Sequence, residues 1–344
     1  MIRRNFMQGI LAMALIPSSF AGRLMQIASQ KLLKPQALKK NDTIGIIAPG
    51  TAVSDPLDIE KAKEAIEYLG LKAKFAEHVL NGHGYKSRTI EERLEDLNSM
   101  FLDEEVRGIF CIRGGYGSGQ LLDVIDYELI RSNPKIFVGY SDITALHLAI
   151  NKKSGLVTFH GPVLLSGFSS FTMEQLKKAL FNNEAIGLLS NPDDKKGERK
   201  KYPILTIRSG MAKGRLTGGN LSLITSLMGT PYEIDTKNSI LFLEDVGEEP
   251  YRIDRMLTQL RLAGKLNANG IVFGLCAGCD SSGLRVWDYS LGEVLKNILG
   301  DLGIPVFYGL TIGHTFEQLT LPYGVMAEMD ADRGILNILE PCVD

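Results

Sequence analysis

The run Ile136-Phe137-Val138-Gly139-Tyr140-Ser141-Asp142-Ile143-Thr144 opens as a short buried strand and ends as the start of a helix, with a glycine two residues before a serine at the junction. A serine placed there projects its hydroxyl from the end of a sheet, and the helix behind it offers unpaired N–H groups and a positive dipole end. Both features favour an oxyanion, which makes Ser141 a candidate nucleophile. The Gly-x-Ser-x-Gly elbow of α/β-hydrolases is only half met: Gly139 and Ser141 fit, but Ile143 stands at the second glycine. A serine before an apolar helix is equally an ordinary N-cap, so the local sequence leaves both readings open.

Outward from this junction, apolar runs of strand length alternate with helical patterns. Residues 43–48 read as a strand broken by Pro49-Gly50, followed by a helix with Ile59, Ala62, Ile66 and Leu69 on one face and Gly70 as its stop. Thr89 and Glu92 form a capping box for a helix carrying Leu94, Leu97 and Phe101. A strand over 106–112 then leads into Arg113-Gly114-Gly115-Tyr116-Gly117-Ser118-Gly119. This alternation predicts α/β layers with a largely parallel sheet over residues 38–189. Residues 190–202 are polar, charged and rich in breakers, and read as a linker to a second domain over 203–344. That half begins with a strand over 204–207, continues through Gly218-Gly219-Asn220 into a helix over 221–228, and ends in a hairpin turning at Asp332-Arg333-Gly334.

The 344 residues, 44% of them apolar, suffice for a sizeable core in two domains, and the net charge of −2 comes from well-mixed acids and bases. No global field argues for nucleic acid or an anionic membrane surface, so the expected partners are small molecules. The lysines of the linker are interspersed with acids and lack aromatic neighbours, which reads as a solvated linker. The N-terminus differs: Arg3 and Arg4 precede an apolar stretch over 9–16 and then Pro17-Ser18-Ser19-Phe20-Ala21-Gly22. This is a signal-peptide pattern over 1–21, and Arg3-Arg4-Asn5-Phe6 resembles a twin-arginine export signal. The stretch is too short to span a bilayer comfortably; an uncleaved tether or a packed N-terminal helix is the alternative. Of the four cysteines, Cys276 and Cys279 have C-x-x-C spacing without a second pair, which favours a structural role, including a local disulfide in an oxidising compartment.

A serine hydroxyl needs a base, and the base needs a partner that fixes its tautomer. Among five histidines, His147 lies on the helix that Ser141 opens and reads as structural. His160 follows a strand, either packed or lining a cleft. His314, on the loop after a strand over 304–307 and directly behind Gly313, is placed to reach across a cleft. Glu244 ends the apolar run Ser239-Ile240-Leu241-Phe242-Leu243, where a carboxylate must be paired or face a cleft. Pairing of Glu244 or Asp245 with Arg252 or Arg255 would be the purely structural alternative.

Taken together, Arg113-Gly114-Gly115-Tyr116-Gly117, Gly139-Tyr140-Ser141-Asp142, Glu244-Asp245 with Pro250-Tyr251-Arg252-Ile253-Asp254-Arg255, and Gly313-His314 resemble the L,D-carboxypeptidases, also called muramoyltetrapeptide carboxypeptidases, a family of serine peptidases. The resemblance runs from about Thr43 to Leu339. It implies a flavodoxin-like N-terminal domain carrying the serine, a smaller C-terminal α/β domain carrying glutamate and histidine, and a cleft between them. Residue by residue, it implies Ser141 as nucleophile, His314 as general base and Glu244 as the group that orients His314. The N–H groups of Gly115 and Asp142 would form the oxyanion hole, and Arg113, Tyr116 and Arg252 are candidates for binding the substrate. The implied reaction removes terminal D-alanine from peptidoglycan stem tetrapeptides without metal or cofactor. The export signal would put it in the periplasm, and a homodimer is left open. Two other readings remain: the family branch that hydrolyses microcin-type peptidyl adenylates, for which Trp287 could face the nucleotide, and a non-catalytic binder of cell-wall fragments.

Overall fold

The computed structural model describes residues 32–80, 82, 88–193, 201–280 and 289–344. The expected signal segment 1–21, His83, linker residues 194–200 and Trp287 lie outside the described residues. Five strands, β1 (Thr43–Ile47), β2 (Lys72–Phe75), β3 (Val106–Cys111), β4 (Ile136–Gly139) and β5 (Phe159–His160), run parallel in the order β2-β1-β3-β4-β5. That is the flavodoxin-like doubly wound order. Between them lie α1 (Pro56–Tyr68), α2 (Ile90–Leu102), α3 (Tyr127–Ser132) and α4 (Thr144–Ser154), with α5 (Ser170–Leu180) after β5.

The local signals explain where these helices begin and end. Asp55 caps α1 and Pro56 sits in its first turn; past its end, Gly70 takes φ +81°, which an L side chain rarely adopts. Thr89 and Glu92 form the reciprocal capping box of α2. The buried face of α2, with Leu97, Met100 and Phe101, packs on the sheet; the Phe101 and Phe137 rings stack 6.3 Å apart. Each such side chain fully buried contributes roughly 1.5–3 kcal/mol.

The second sheet contains, in chain order, β6 (Ala185–Leu189), β7 (Leu205–Arg208), β8 (Met211–Asn220), β9 (Ser239–Val246), β10 (Gly270–Ala277) and β11 (Val306–Leu310). After β12 (Leu321–Pro322), it is completed by β13 (Met326–Asp330) and β14 (Ile335–Pro341). Among the described residues its order is β6-β14-β13-β8-β9-β10-β11-β7, with β8 to β11 parallel. The helices α6 (Leu221–Ser226), α7 (Pro250–Leu262) and α8 (Leu291–Leu299) connect these parallel strands. The helix expected over 221–228 thus stops at Ser226, and the expected terminal hairpin is β13–β14, turning at Gly334.

The sheets do not divide at the linker. β6, ahead of the linker, pairs with β14 in the second sheet, whereas β12, far beyond it, pairs antiparallel with β5 in the first. The expected division into 38–189 and 203–344 therefore describes the order of the chain but not the membership of the sheets. In both sheets the carboxyl ends of the parallel strands carry the loops of interest, the usual place for a site in open α/β sheets.

Candidate active site

Ser141 follows β4 and adopts φ +64°, a left-handed conformation that non-glycine residues rarely take and that costs of order 1–3 kcal/mol. It is not an N-cap. Tyr140 holds the extended cap position of the short turn Ser141–Ile143, and no side chain caps that turn. The side chain therefore caps no helix, and the residue is half-buried at the end of the sheet. Ile143 in place of a second glycine also has a packing reason: a Cβ on Gly139 would come within 2.8 Å of the Ile143 side chain. Here the small residue lies before the serine and the branched one covers it.

Glu244, two residues before the end of β9, is fully buried, and its Oε2 lies 2.8 Å from His314 Nδ1. A carboxylate accepts only, so Nδ1 carries the proton and Nε2 is left as the acceptor. Gly313 makes this pairing possible: it takes φ +79°, and a Cβ there would sit 2.1 Å from Glu244 Oε2. The His314 ring meets the Tyr140 ring edge to face at 4.8 Å, which brings the second sheet's histidine to the residue preceding Ser141. Tyr140 itself is fixed by Ser166 Oγ, 3.4 Å from its hydroxyl.

The structural alternative for Glu244 does not hold. Arg252 faces Glu248 at 3.4 Å and Tyr251 Oη at 3.0 Å, on the surface. Asp245 is the structural acid: it accepts from Asn220 Nδ2 at 3.1 Å and from Ser222 N and Oγ at 2.9 and 2.8 Å, joining β9 to the start of α6.

Around Ser141 the loops after β1 and β3 are interlocked. Thr51 N donates to Gly114 O at 3.1 Å and Tyr116 N donates to Thr51 Oγ1 at 2.9 Å. Gly115 between them has φ +106°, and a Cβ there would lie 1.9 Å from Thr51 Oγ1, so only glycine fits. Asp142 Oδ2 accepts from Ser118 N at 2.9 Å and from Ser118 Oγ at 2.6 Å. Burial pushes the Asp142 carboxyl up, and the Ser118 and Gly117 donors act in the opposite direction. Arg113 donates to Ala52 O at 3.3 Å, and Tyr116 is largely exposed beside it.

His147 is buried, with Nε2 2.8 Å from Gly139 O; burial lowers its pKa to about 4. His160 is also buried, its ring 6.0 Å from Tyr140 and 5.2 Å from Phe242, and desolvation holds it neutral. It packs the core behind the site rather than lining a cleft. Cys276 and Cys279 form a disulfide at the end of β10, where Cys276 lies in register with Asp245. Among the described residues, no group of histidine, cysteine, aspartate or glutamate side chains is arranged to hold a metal ion, and no helix is long and apolar enough to cross a membrane.

The sequence reading missed Arg93, which is buried on α2. Its signal is positional: Arg93, Leu97 and Phe101 recur at four-residue spacing, so the cation lies on the face that packs inward.

A flavodoxin-like sheet with a strained serine at a strand end, and a glutamate-paired histidine from a second α/β sheet packed on the neighbouring Tyr140, fit a serine hydrolase. Residues 44–161 match the profile of the LD-carboxypeptidase N-terminal domain, and residues 213–329 that of the LD-carboxypeptidase C-terminal domain. The chain belongs to the LD-carboxypeptidase family. It is 42% identical over 302 residues to a probable murein peptide carboxypeptidase of Bacillus subtilis, covering 86% of this chain and 91% of that one. The structure of the microcin self-immunity protein MccF superposes with TM-score 0.81 at 29% identity, over 91% of this chain and 100% of that one. A muramoyltetrapeptide carboxypeptidase from Oxalobacter formigenes superposes with TM-score 0.74 at 30% identity, over 87% and 99%.

Proposed function

We propose that this protein is a serine L,D-carboxypeptidase that removes the terminal D-alanine from peptidoglycan stem tetrapeptides. The observation that carries the reading is the His314 Nδ1 to Glu244 Oε2 contact of 2.8 Å, held against Tyr140 beside the strained Ser141. Ser141 Oγ attacks the carbonyl of the L-centre, and His314 Nε2 takes the hydroxyl proton. Glu244 keeps the ring in the correct tautomer and stabilises its cationic form. The N–H groups of Gly115 and Asp142 receive the charge that develops on the attacked oxygen, each worth about 10²- to 10³-fold in rate. Collapse of the tetrahedral intermediate breaks the C–N bond, and the His314 proton passes to the nitrogen of the departing D-alanine. Water, deprotonated by His314, then hydrolyses the ester and regenerates Ser141.

Arg113 and Arg252 are the candidate charge-assisted donors for the free carboxylate that distinguishes an exopeptidase substrate, and Tyr116 offers an exposed ring on the loop that carries Arg113. Action outside the cytoplasm is supported by the export pattern of residues 1–21 and by the Cys276–Cys279 disulfide, a bond favoured in oxidising compartments. The likeness to MccF favours one second reading, hydrolysis of a peptidyl adenylate by the same triad. A competition assay separates the two. L-Ala-D-Glu-diaminopimelate-D-Ala is expected to lose D-alanine; cleavage of an aspartyl adenylate analogue with the tetrapeptide left intact would select the second reading.

A further inference from the structure

Among the described residues, α2 buries a cation whose purpose the proposed triad does not supply. Arg93 is 2% exposed, and its hydrogen bonds go to uncharged oxygens: Nη1 to Pro49 O at 2.7 Å and to Gly117 O at 3.0 Å, Nη2 to Gln120 Oε1 at 3.0 Å, and Nε to Thr89 O at 3.2 Å. Burying a guanidinium is costly, and an apolar side chain at this face of α2 would pack without that cost. The acceptors explain its presence. Pro49 belongs to the loop after β1, which carries Thr51, and Gly117 belongs to the loop after β3, which carries Gly115. Arg93 therefore ties together the two loops that cross at the Gly115–Thr51 contact.

The opposite end of the same peptide unit is also held. Arg93 donates to the carbonyl of Gly117, and the N–H of that peptide, belonging to Ser118, donates to Asp142 Oδ2 at 2.9 Å. The Gly117–Ser118 peptide is thus fixed between a buried cation and a buried carboxylate, two residues beyond Gly115. Asp142 in turn follows Ser141 directly.

We propose that Arg93 and the Asp142 carboxylate are positioning residues that clamp the Gly117–Ser118 peptide, and so aim the Gly115 N–H at the same point as the Asp142 N–H. The inference rests on the assignment of these two N–H groups as the oxyanion hole. Because the clamp acts on the developing charge and not on the bound tetrapeptide, its loss lowers kcat while KM changes little. The guanidinium fork reaches acceptors on both loops together, which an ammonium does not.

The test uses the full chain and two variants, Arg93→Met and Arg93→Lys, with two readouts. The first is D-alanine release from the tetrapeptide. Arg93→Met is expected to lose about 10²-fold in kcat with KM within about threefold, and to recover part of it when guanidinium ion is added at millimolar concentration. Arg93→Lys is expected to fall between Arg93→Met and the native protein. The second readout is amide hydrogen exchange, which needs no substrate. Faster exchange is expected in peptides spanning residues 113–120 in either variant, with the rest of the first sheet unchanged. Native kcat in a folded Arg93→Lys together with native exchange over 113–120 would overturn the proposal, as would deprotection spread over the whole first sheet. Should the native protein leave the tetrapeptide intact, the proposed substrate fails, while hydrogen exchange still decides the clamp.

Discussion

In the proposed mechanism Ser141, His314 and Glu244 act on one proton path, and substitutions along it are not expected to add. Ser141→Ala and His314→Ala should each lower kcat roughly 10⁴- to 10⁶-fold, with the double variant little worse than either. Losses that multiply in steady-state kinetics would deny them a shared role. Glu244→Gln keeps the shape of the side chain while favouring the wrong imidazole tautomer, so up to about 10⁴-fold loss with a native thermal transition is expected. Unfolding of that variant would instead make Glu244 a stability residue. Glu244 and His314, which the structure pairs, were legible in the sequence, because a carboxylate closing an apolar run and a histidine behind a glycine both need a reason. Arg93 was not legible in the same way. An arginine on an amphipathic helix reads as solvated unless its spacing to Leu97 and Phe101 is weighed, and its acceptors are backbone oxygens that sequence does not display.

At the scale of elements, α4 carries a cost that appears with acid. His147 on α4 donates from Nε2 to Gly139 O, its Nδ1 is buried without a hydrogen-bond partner, and burial lowers its pKa to about 4. An imidazole in the unfolded chain takes its proton near 6.5, so between those values the unfolded chain binds more protons. Stability is therefore lost as pH falls through this window, by about 3 kcal/mol for this one group. Urea denaturation at pH 7 and pH 5 should show the loss, and His147→Gln should flatten it; an unchanged slope in that variant would assign the acid sensitivity to other groups. Capping residues, helix stops and the strand-to-helix turn at Gly139 were readable because their signals are local. The pairing of β6 with β14 was not, since Leu189 meets Leu336 across more than a third of the chain and neither strand carries a mark of its partner.

Across the whole molecule, the exchange of β6 and β12 between sheets ties the two halves together. Residues 38–189 alone would leave β6 without β14 and β5 without β12. That fragment is expected to lack a cooperative denaturation transition, whereas residues 32–344 should unfold in one step seen identically by circular dichroism and fluorescence. A sharp transition in the fragment would show that the halves fold independently. The same tie accompanies the packing of His314, from the second sheet, on Tyr140 of the first, and in the proposed mechanism a serine from one sheet and a histidine from the other serve a single reaction. The most direct test of that account is acid-quenched peptide mapping after mixing the protein with L-Ala-D-Glu-diaminopimelate-D-Ala. It predicts a tripeptidyl ester on Ser141 in the native protein, and neither the ester nor D-alanine release in Ser141→Ala; undiminished D-alanine release by Ser141→Ala would contradict it.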